Sequence, residues 1–159
     1  MPNWCDNGLV ITGNAKDIAK FKKQARDVKW DFSFEPFIPM PAELVDTLSP
    51  GKPNKKLLKL YGASNWYEWK LKNLGTKWDV EGEISIDEKT QLGYTFMSAW
   101  SPPDEGVRKI SELYPKLHFS LDYDEPGMDF AGVDEIENGE FVSRTQTKSP
   151  QNREDHGGN

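Results

Sequence analysis

The sequence predicts a single α+β domain in which helices pack on one face of a mainly antiparallel sheet. Three observations support this fold class. Two segments carry the apolar stripe and polar cap of a helix, several segments alternate apolar and polar residues, and Asn138-Gly139 lies between apolar residues as a hairpin turn does. A chain of 159 residues with 12% aromatic residues also suits one hydrophobic core.

The N-terminal residues predict a strand, a helix and a second strand. Residues 8–12 form a short apolar run typical of a buried strand, and Asn14 then has the position of a helix N-cap. The following helix is expected to present one apolar face, formed by Ile18, Phe21, Ala25 and Val28. Residues 29–34 alternate apolar and polar side chains, which predicts a half-buried strand.

Residues 41–75 predict a helical insertion. Proline suits the first turn of a helix, so Pro41 favours a short helix that continues to Leu48. A longer helix carries several of the tryptophans. It is expected to begin after Asn65, which has the position of an N-cap, and to end at Gly75, which tolerates the left-handed conformation of a helix end.

The second half of the chain predicts a hairpin, a helix and further strands. Residues 83–87 and 92–100 are expected to pair across a polar turn, with Trp100 on the apolar side of the second strand. Ser101 is expected to cap the next helix. Residues 117–123 alternate again, which predicts a strand with one solvated face.

The C-terminal residues lose all apolar periodicity. Residues 144–159 are almost entirely polar, which is a composition typical of disordered segments. We therefore expect one folded domain over residues 1–143 and a disordered tail over residues 144–159.

Four segments together resemble one protein family. They are residues 1–7, 64–79, 99–103 and 123–127, and the second of them holds three of the six tryptophans. The chain is similar to the YubB-type, phage Api-like family with a ferredoxin-like domain, which bacteriophages and plasmids encode. The resemblance covers roughly residues 1–135. It implies a ferredoxin-like sandwich and a mobile-element origin, and it implies no particular reaction.

The net charge of -6 is distributed unevenly along the chain. Residues 121–159 hold 3 basic and 10 acidic residues, whereas residues 1–120 hold 17 and 16. An acidic chain with a pI near 5.0 repels nucleic-acid phosphates at long range, so direct nucleic-acid binding is disfavoured.

The absence of targeting segments and the single cysteine limit the expected localisation and redox chemistry. No apolar run approaches the ~20 residues of a membrane span, and no segment resembles a signal peptide. We therefore expect a cytoplasmic protein with no membrane contact, and the resemblance implies a bacterial host cell. The single cysteine, Cys5, excludes an intramolecular disulfide and a thiolate zinc cluster, and we expect it to be buried and inert.

Groups suited to catalysis are few. The two histidines are His118, on the solvated face of a predicted strand, and His156, in the polar tail, so a catalytic triad and a two-histidine metal site both lack residues. No phosphate-binding glycine loop or dinucleotide motif occurs. We expect no enzymatic activity and no cofactor; an enzyme that uses Asp79, Asp124 and Glu125 is kept as an alternative.

Carboxylates are abundant between residues 122 and 140. Asp122, Asp124 and Gly127 match positions of a calcium-binding loop, but Pro126 takes a ligand position and the required final glutamate is missing. The sequence therefore predicts no metal site there, although a weak Mg²⁺ or Ca²⁺ site at the Asp124-Glu125 turn stays open as an alternative. A solvated acidic sheet edge that resists self-association is the expected structure.

The leading functional hypothesis is a non-catalytic phage or plasmid accessory protein that binds, and thereby inhibits, a host or element-encoded macromolecule. A protein is the expected partner. The contact is assigned to the tryptophan-rich helix or to six acidic residues, which are Asp124, Glu125, Asp129, Asp134, Glu135 and Glu137.

The alternative hypothesis is a protein that binds or sequesters a small nucleotide-like anion in an aromatic and lysine-lined groove. Five residues are the candidates for this groove: Trp66, Trp69, Lys77, Asp79 and Trp100. The competing interpretation places the tryptophans in the core, because each buries a large apolar area. The oligomeric state does not follow from the sequence.

Overall fold

The computed structural model describes residues 2–154. Its elements are β1 (Trp4–Thr12), α1 (Ala15–Ala25), α2 (Ala42–Val45), α3 (Lys55–Tyr61), α4 (Trp66–Leu74), β2 (Glu83–Asp87), β3 (Gln91–Ala99), α5 (Asp104–Leu113), β4 (His118–Glu125), β5 (Phe130–Glu137), β6 (Glu140–Thr147) and α6 (Pro150–Glu154). The strands form one six-stranded sheet in the order β2-β3-β1-β4-β5-β6, and every neighbouring pair is antiparallel.

The first four strands and the helices α1 and α5 have the order of a ferredoxin-like domain. The chain runs β1, α1, β2, β3, α5 and β4, and the strands lie side by side as β2-β3-β1-β4. The β5–β6 hairpin extends this sheet, and its turn is Asn138-Gly139, with φ of 44° and 79°. The predicted α+β class, the ferredoxin-like sheet and the hairpin are confirmed.

The main core lies between one face of the sheet and the helices α1 and α5. Phe21 of α1 is at its centre, with its ring 4.9 Å from that of Phe37, 5.1 Å from Tyr114 and 5.7 Å from Phe119. On β1 the odd-numbered residues from Cys5 to Ile11 are buried, whereas the even-numbered residues are exposed or half-buried. The opposite face of the sheet is therefore open to solvent over much of β1, β3 and β4.

The expected helical insertion is present as α2, α3 and α4. The side chain of Asn65 accepts a hydrogen bond from Glu68 N, and Gly75 ends α4 in the left-handed conformation with φ of 84°, as predicted. The insertion has its own small core, formed by Leu44, Leu57, Ala63 and Trp69. Trp69 is 6% exposed, so it has the core position that the competing interpretation gave to the tryptophans.

The predicted strand over residues 29–34 is wrong. Phe32 and Phe34 are buried, but the segment makes only an isolated bridge between Phe32 and Gly82. A Cβ atom on Gly82 would lie 2.7 Å from the Phe32 Cβ, so this contact depends on glycine. The apolar alternation reflects burial against the core, and the second strand of the sheet is β2. Val28 is fully exposed because α1 ends at Ala25.

Trp100 and Ser101 also depart from the prediction. β3 ends at Ala99, and Trp100 has φ of 71°, so its ring leaves the apolar face of the strand and is 47% exposed. Ser101 Oγ donates to Gly75 O at 2.7 Å. Because this hydroxyl joins the end of α4, it does not cap α5, which begins only at Asp104.

The expectation of a disordered tail from residue 144 needs correction. β6 continues to Thr147 beside β5, and α6 begins at Pro150, so residues 144–147 and 150–154 have regular structure; the remaining residues of the expected tail after residue 154 lie outside the described part of the chain. β6 shows no apolar periodicity because it is an edge strand with both faces largely exposed. It is held by ladder hydrogen bonds and by Arg144, which pairs with the buried Asp134 and with Asp104.

Candidate ligand-binding groove

A groove of about 980 Å³ crosses the open face of the sheet. The strand register builds it from two rows of side chains. Glu83, Thr95, Gly8 and Asp122 are successive partners across β2, β3, β1 and β4. Met97, Asp6 and Asp124 form the adjacent row. The groove is thus a product of the sheet, since its residues are distant in sequence.

Two exposed tryptophans form an aromatic wall of the groove. Trp4 begins β1 and Trp78 lies in the loop after α4; their ring centroids are 6.2 Å apart with an interplanar angle of 35°. They are 42% and 40% exposed, and Met97 in the groove is 50% exposed. Lys77 Nζ lies 4.6 Å from the centroid of the Trp78 ring, so this ring already accepts a cation.

Gly8 forms the floor of the groove at its centre. Its row partners are Thr95 on β3 and Asp122 on β4. A Cβ atom added to Gly8 would meet no atom within 4 Å, so open space lies above it. A ligand can therefore approach the sheet backbone closely at this position.

The groove is strongly acidic and has no basic lining residue among those the structure describes. Its carboxylates belong to Asp6, Asp79, Glu81, Glu83, Asp122 and Asp124. None of the six forms a salt bridge within the described residues. Loss of contact with water raises the pKa of Asp122, and the nearby charge of Asp124 raises it further. Uncompensated negative charge is thus concentrated in this groove.

Asp79 has a structural role at the rim of the groove. Its Oδ1 accepts hydrogen bonds from Phe34 N and Val80 N, both at 2.7 Å, and its Oδ2 accepts one from Glu35 N at 3.0 Å. It thereby holds the buried residues near Phe34 in place. We assign Asp79 to the support of the groove wall.

The structure brings three of the five predicted ligand-binding residues into a second, smaller cavity. Trp66, Lys77 and Trp100 line a notch of about 490 Å³ beside the insertion. Trp69 is buried in the core of the insertion and does not line it, and Asp79 lines the large groove instead. Lys77 Nζ also lies 5.9 Å from the Tyr67 ring centroid, between the two cavities.

The predicted acidic partner-binding surface is divided by the fold. Glu125 and Asp134 are fully buried, so the prediction that they face a partner is wrong. Glu125 Oε1 accepts from Met128 N, and Arg144 pairs with Asp134, whose pKa is nevertheless raised by burial. Both residues lie on the inner face of the sheet: Glu125 continues the buried alternation of Leu121 and Tyr123, and Asp134 is the register partner of Leu121.

The other four acidic candidates lie in three places. Asp124 lines the groove. Asp129 accepts hydrogen bonds from the segment that follows β6. Glu135 and Glu137 contact the two ring nitrogens of His118, and the contact between His118 Nδ1 and Glu137 Oε1 is 2.7 Å. These four residues therefore form no continuous acidic edge, and of the four only Asp124 belongs to the groove.

The His118 contacts make stability pH-dependent. Burial alone lowers the pKa of His118, but hydrogen bonds and charges of Glu137 and Glu135 outweigh it, so the pKa is raised. The stabilisation is therefore present below the unfolded pKa of about 6.5 and is lost as the pH rises through the raised value. We expect His118→Gln to lower the free energy of unfolding at about pH 6 and to change it little at about pH 9.

Urea denaturation at both pH values measures this difference. The matched control is Lys116→Gln, a charge removal two residues away at an exposed position. Equal effects of His118→Gln at the two pH values would show that the carboxylate contacts of His118 do not stabilise the fold.

The remaining sequence expectations concern chemistry outside the groove. Cys5 is buried as expected, and burial raises the pKa of its thiol to about 12. Among the side chains that the structure describes, which are those of residues 2–152, no group of three or more from His, Cys, Asp or Glu is arranged to hold a metal ion. Over the same residues no helix is both long and apolar enough to cross a membrane.

Sequence reasoning missed most of the groove. It did not single out Trp4, Asp6, Gly8, Glu83 or Met97 as site residues. The available signal was the alternation of β1, in which Trp4, Asp6 and Gly8 share the face opposite the apolar residues. Their neighbours on β3 and β4 could not be assigned, because register across strands is a tertiary property.

Comparisons with known proteins agree with this fold. Residues 73–158 match the family described as the ferredoxin-like domain in Api92-like protein. The crystal structure of the protein Api92 from Yersinia pseudotuberculosis is similar, with a TM-score of 0.61 at 11% sequence identity over 94% of this chain and 99% of that chain. At this identity the likeness shows the fold alone. A search of curated proteins gave no match.

Proposed function

We propose that this chain, which belongs to the family defined by the ferredoxin-like domain in Api92-like protein, is a non-catalytic binding protein that holds a basic segment of another protein in its acidic groove. By occupying that segment it would inhibit the partner. The observation that carries the proposal is a groove with six carboxylates and no basic lining residue among those described.

The shape and chemistry of the groove favour an extended, basic peptide. The groove extends across β2, β3, β1 and β4, which gives room for several residues of a peptide, and the bare floor at Gly8 lets a backbone approach. Trp4, Trp78 and Met97 supply apolar and aromatic contacts for the aliphatic stems and cationic heads of arginine and lysine. The carboxylates supply charge complementarity, which raises association rates and selects the partner.

The cellular setting of the proposal rests on the sequence resemblance. The N-terminal and tryptophan-rich segments of the chain resemble a family that phages and plasmids encode. We accordingly propose an accessory protein of a mobile genetic element, acting in the cytoplasm of a bacterial host cell. The lack of a recognised catalytic motif supports binding over catalysis.

A labelled hexa-arginine peptide tests the groove directly. We expect the triple variant Asp6→Asn, Asp122→Asn, Asp124→Asn to bind the peptide at least about tenfold more weakly than wild type, a loss of about 1.4 kcal/mol. Binding to wild type should weaken as salt rises from low to physiological concentration, because exposed charges are screened. Fluorescence anisotropy titration at both salt concentrations measures the two effects.

The matched control neutralises three exposed carboxylates outside the groove: Asp46→Asn, Glu88→Gln, Glu140→Gln. Gly8→Val is a second variant, which places a side chain on the groove floor without a steric clash at Cβ. It should weaken binding while leaving stability intact. Equal peptide affinity of the groove and control variants would exclude the groove as the binding site.

The notch supports a second candidate function, the binding of a small nucleotide-like anion. Trp66, Lys77 and Trp100 meet there, which combines aromatic faces with a cation. Glu68 also lines the notch, and its Oε2 is engaged by Ser64 N at 2.8 Å. Titration with ATP separates the two functions, since Lys77→Gln would abolish anion binding and leave the groove carboxylates unchanged.

A further inference from the structure

Gln151 of α6 reaches into one end of the acidic groove. Its side-chain amide nitrogen donates hydrogen bonds to Asp6 Oδ2 and to Asp124 Oδ2, both at 3.1 Å. Asp6 and Asp124 are direct partners on β1 and β4, so a single –NH₂ group bridges two neighbouring carboxylates. An arginine guanidinium presents N–H donors to carboxylates in a comparable way, with the addition of positive charge.

The segment that carries Gln151 is attached to the domain by polar contacts. Ser149 is buried; its Oγ donates to Asp124 Oδ1 at 2.5 Å and its N donates to Asp129 Oδ1 at 3.2 Å. Asn152 donates to Pro126 O at 2.9 Å and to Asp129 Oδ1 at 3.1 Å. Neither hydrophobic cluster of the core includes a residue of this segment. The hydrogen bonds of Gln151 and that between Asn152 and Asp129 are exposed, and segments with few buried apolar contacts open locally without global unfolding.

We propose that residues 149–152 form an intramolecular strap that occupies the subsite for a ligand arginine at Asp6 and Asp124, and that a basic peptide binds the complete groove by displacing Gln151. This inference rests on the proposed function of the groove. It assigns a ligand arginine to the Asp6 and Asp124 carboxylates. It also assigns a closed state, in which Gln151 occupies them before the peptide binds.

The neutral amide of Gln151 makes the strap a competitor that a cation can displace. The amide and a guanidinium both donate to the carboxylates, but only the guanidinium adds a positive charge, whose attraction to the two negative charges favours its replacement of the amide. Until then, the amide satisfies part of the hydrogen-bonding capacity of both carboxylates. The apparent affinity for a peptide is reduced by the fraction of molecules that are closed.

The experiment compares Gln151→Ala with wild type in the complete chain, using the labelled hexa-arginine peptide. We expect the variant to bind the peptide about three- to tenfold more tightly, because no amide then competes for Asp6 and Asp124. The matched control is Gln146→Ala, which removes an exposed glutamine of β6 that does not line the groove. Its peptide affinity should equal that of wild type.

A second measurement follows the strap itself by NMR. On addition of the peptide to wild type, the side-chain amide resonances of Gln151 should shift and the Ser149 amide should exchange faster with solvent. If Gln151→Ala binds as wild type does or more weakly, while Asp6→Asn still weakens binding, the strap is overturned and the groove function stands. If the peptide binds none of these proteins, both proposals fail.

Discussion

Replacing Trp69 with alanine is expected to lower the free energy of unfolding by about 3–5 kcal/mol, as for other large aromatic truncations in a core. Trp69 is 6% exposed and packs with Leu44, Leu57 and Ala63, which are the other members of the small core of the insertion. Urea denaturation followed by circular dichroism measures the loss.

Trp100 provides the matched control for this prediction. Its ring is 47% exposed, so Trp100→Ala removes little buried area and is expected to cost much less than Trp69→Ala. Because Trp100 has φ of 71°, which favours glycine, Trp100→Gly should be more stable than Trp100→Ala. Similar losses for Trp69→Ala and Trp100→Ala would contradict the separate roles of these two tryptophans.

Arg144→Ala is expected to cost about 3 kcal/mol at neutral pH, the low end of the range for a buried carboxylate that loses its partner. Asp134 has no exposed side-chain surface, and Arg144 Nε donates to its Oδ1 at 3.1 Å. The same guanidinium donates to Asp104 Oδ2 at 2.9 Å, so the substitution also removes this contact between β6 and α5.

The pH dependence of this variant has a defined sign. Burial raises the pKa of Asp134, and the opposing contribution of Arg144 is absent in the variant. A carboxyl group whose pKa is raised in the folded state destabilises folding once it ionises, so the loss should shrink as the pH falls and Asp134 takes up a proton.

The double variant Arg144→Ala, Asp134→Asn is the control for the buried charge. It should recover part of the lost stability at neutral pH, since asparagine carries no charge. Urea denaturation between about pH 5 and 8 measures both effects. A pH-independent loss with no recovery in the double variant would show that Arg144 acts through packing on Phe141, whose ring centroid lies 3.9 Å from Arg144 Cζ.

The Arg144 prediction and the groove experiments concern opposite faces of the sheet, and Trp69 lies in the separate core of the insertion. The core depends on the inner face, which α1 and α5 cover, whereas the groove uses the open face. Substitutions at Asp6, Gly8 or Asp122 therefore alter solvated positions, and binding can be tested without loss of the fold.

Local signals in the sequence determined many element ends correctly. Asn14 and Asn65 cap their helices through side-chain hydrogen bonds, and Gly75 ends α4 in the left-handed conformation. Asn138-Gly139 forms the predicted hairpin. Each of these features depends on residues within a few positions of one another, so neighbouring residues alone specify it.

Contacts between distant segments decided the rest. Apolar alternation at residues 29–34 indicated burial, and this was correct. A strand also needs a neighbouring strand to pair with, and this segment makes only an isolated bridge, between Phe32 and Gly82. The polar β6 looked disordered because an edge strand needs no apolar face when Arg144 and ladder hydrogen bonds hold it.

By itself, the sequence determined the α+β class, the helix caps, the hairpin and the acidic character of the chain, because composition and short-range geometry fix these properties. Only the tertiary structure decided which carboxylates face solvent together. Asp6 and Asp124 meet in the groove through the register of β1 and β4, whereas Glu125 and Asp134 are buried by the pleat of their strands. Side chains alternate between the faces of a sheet, so a one-residue difference in position separates a binding surface from a core.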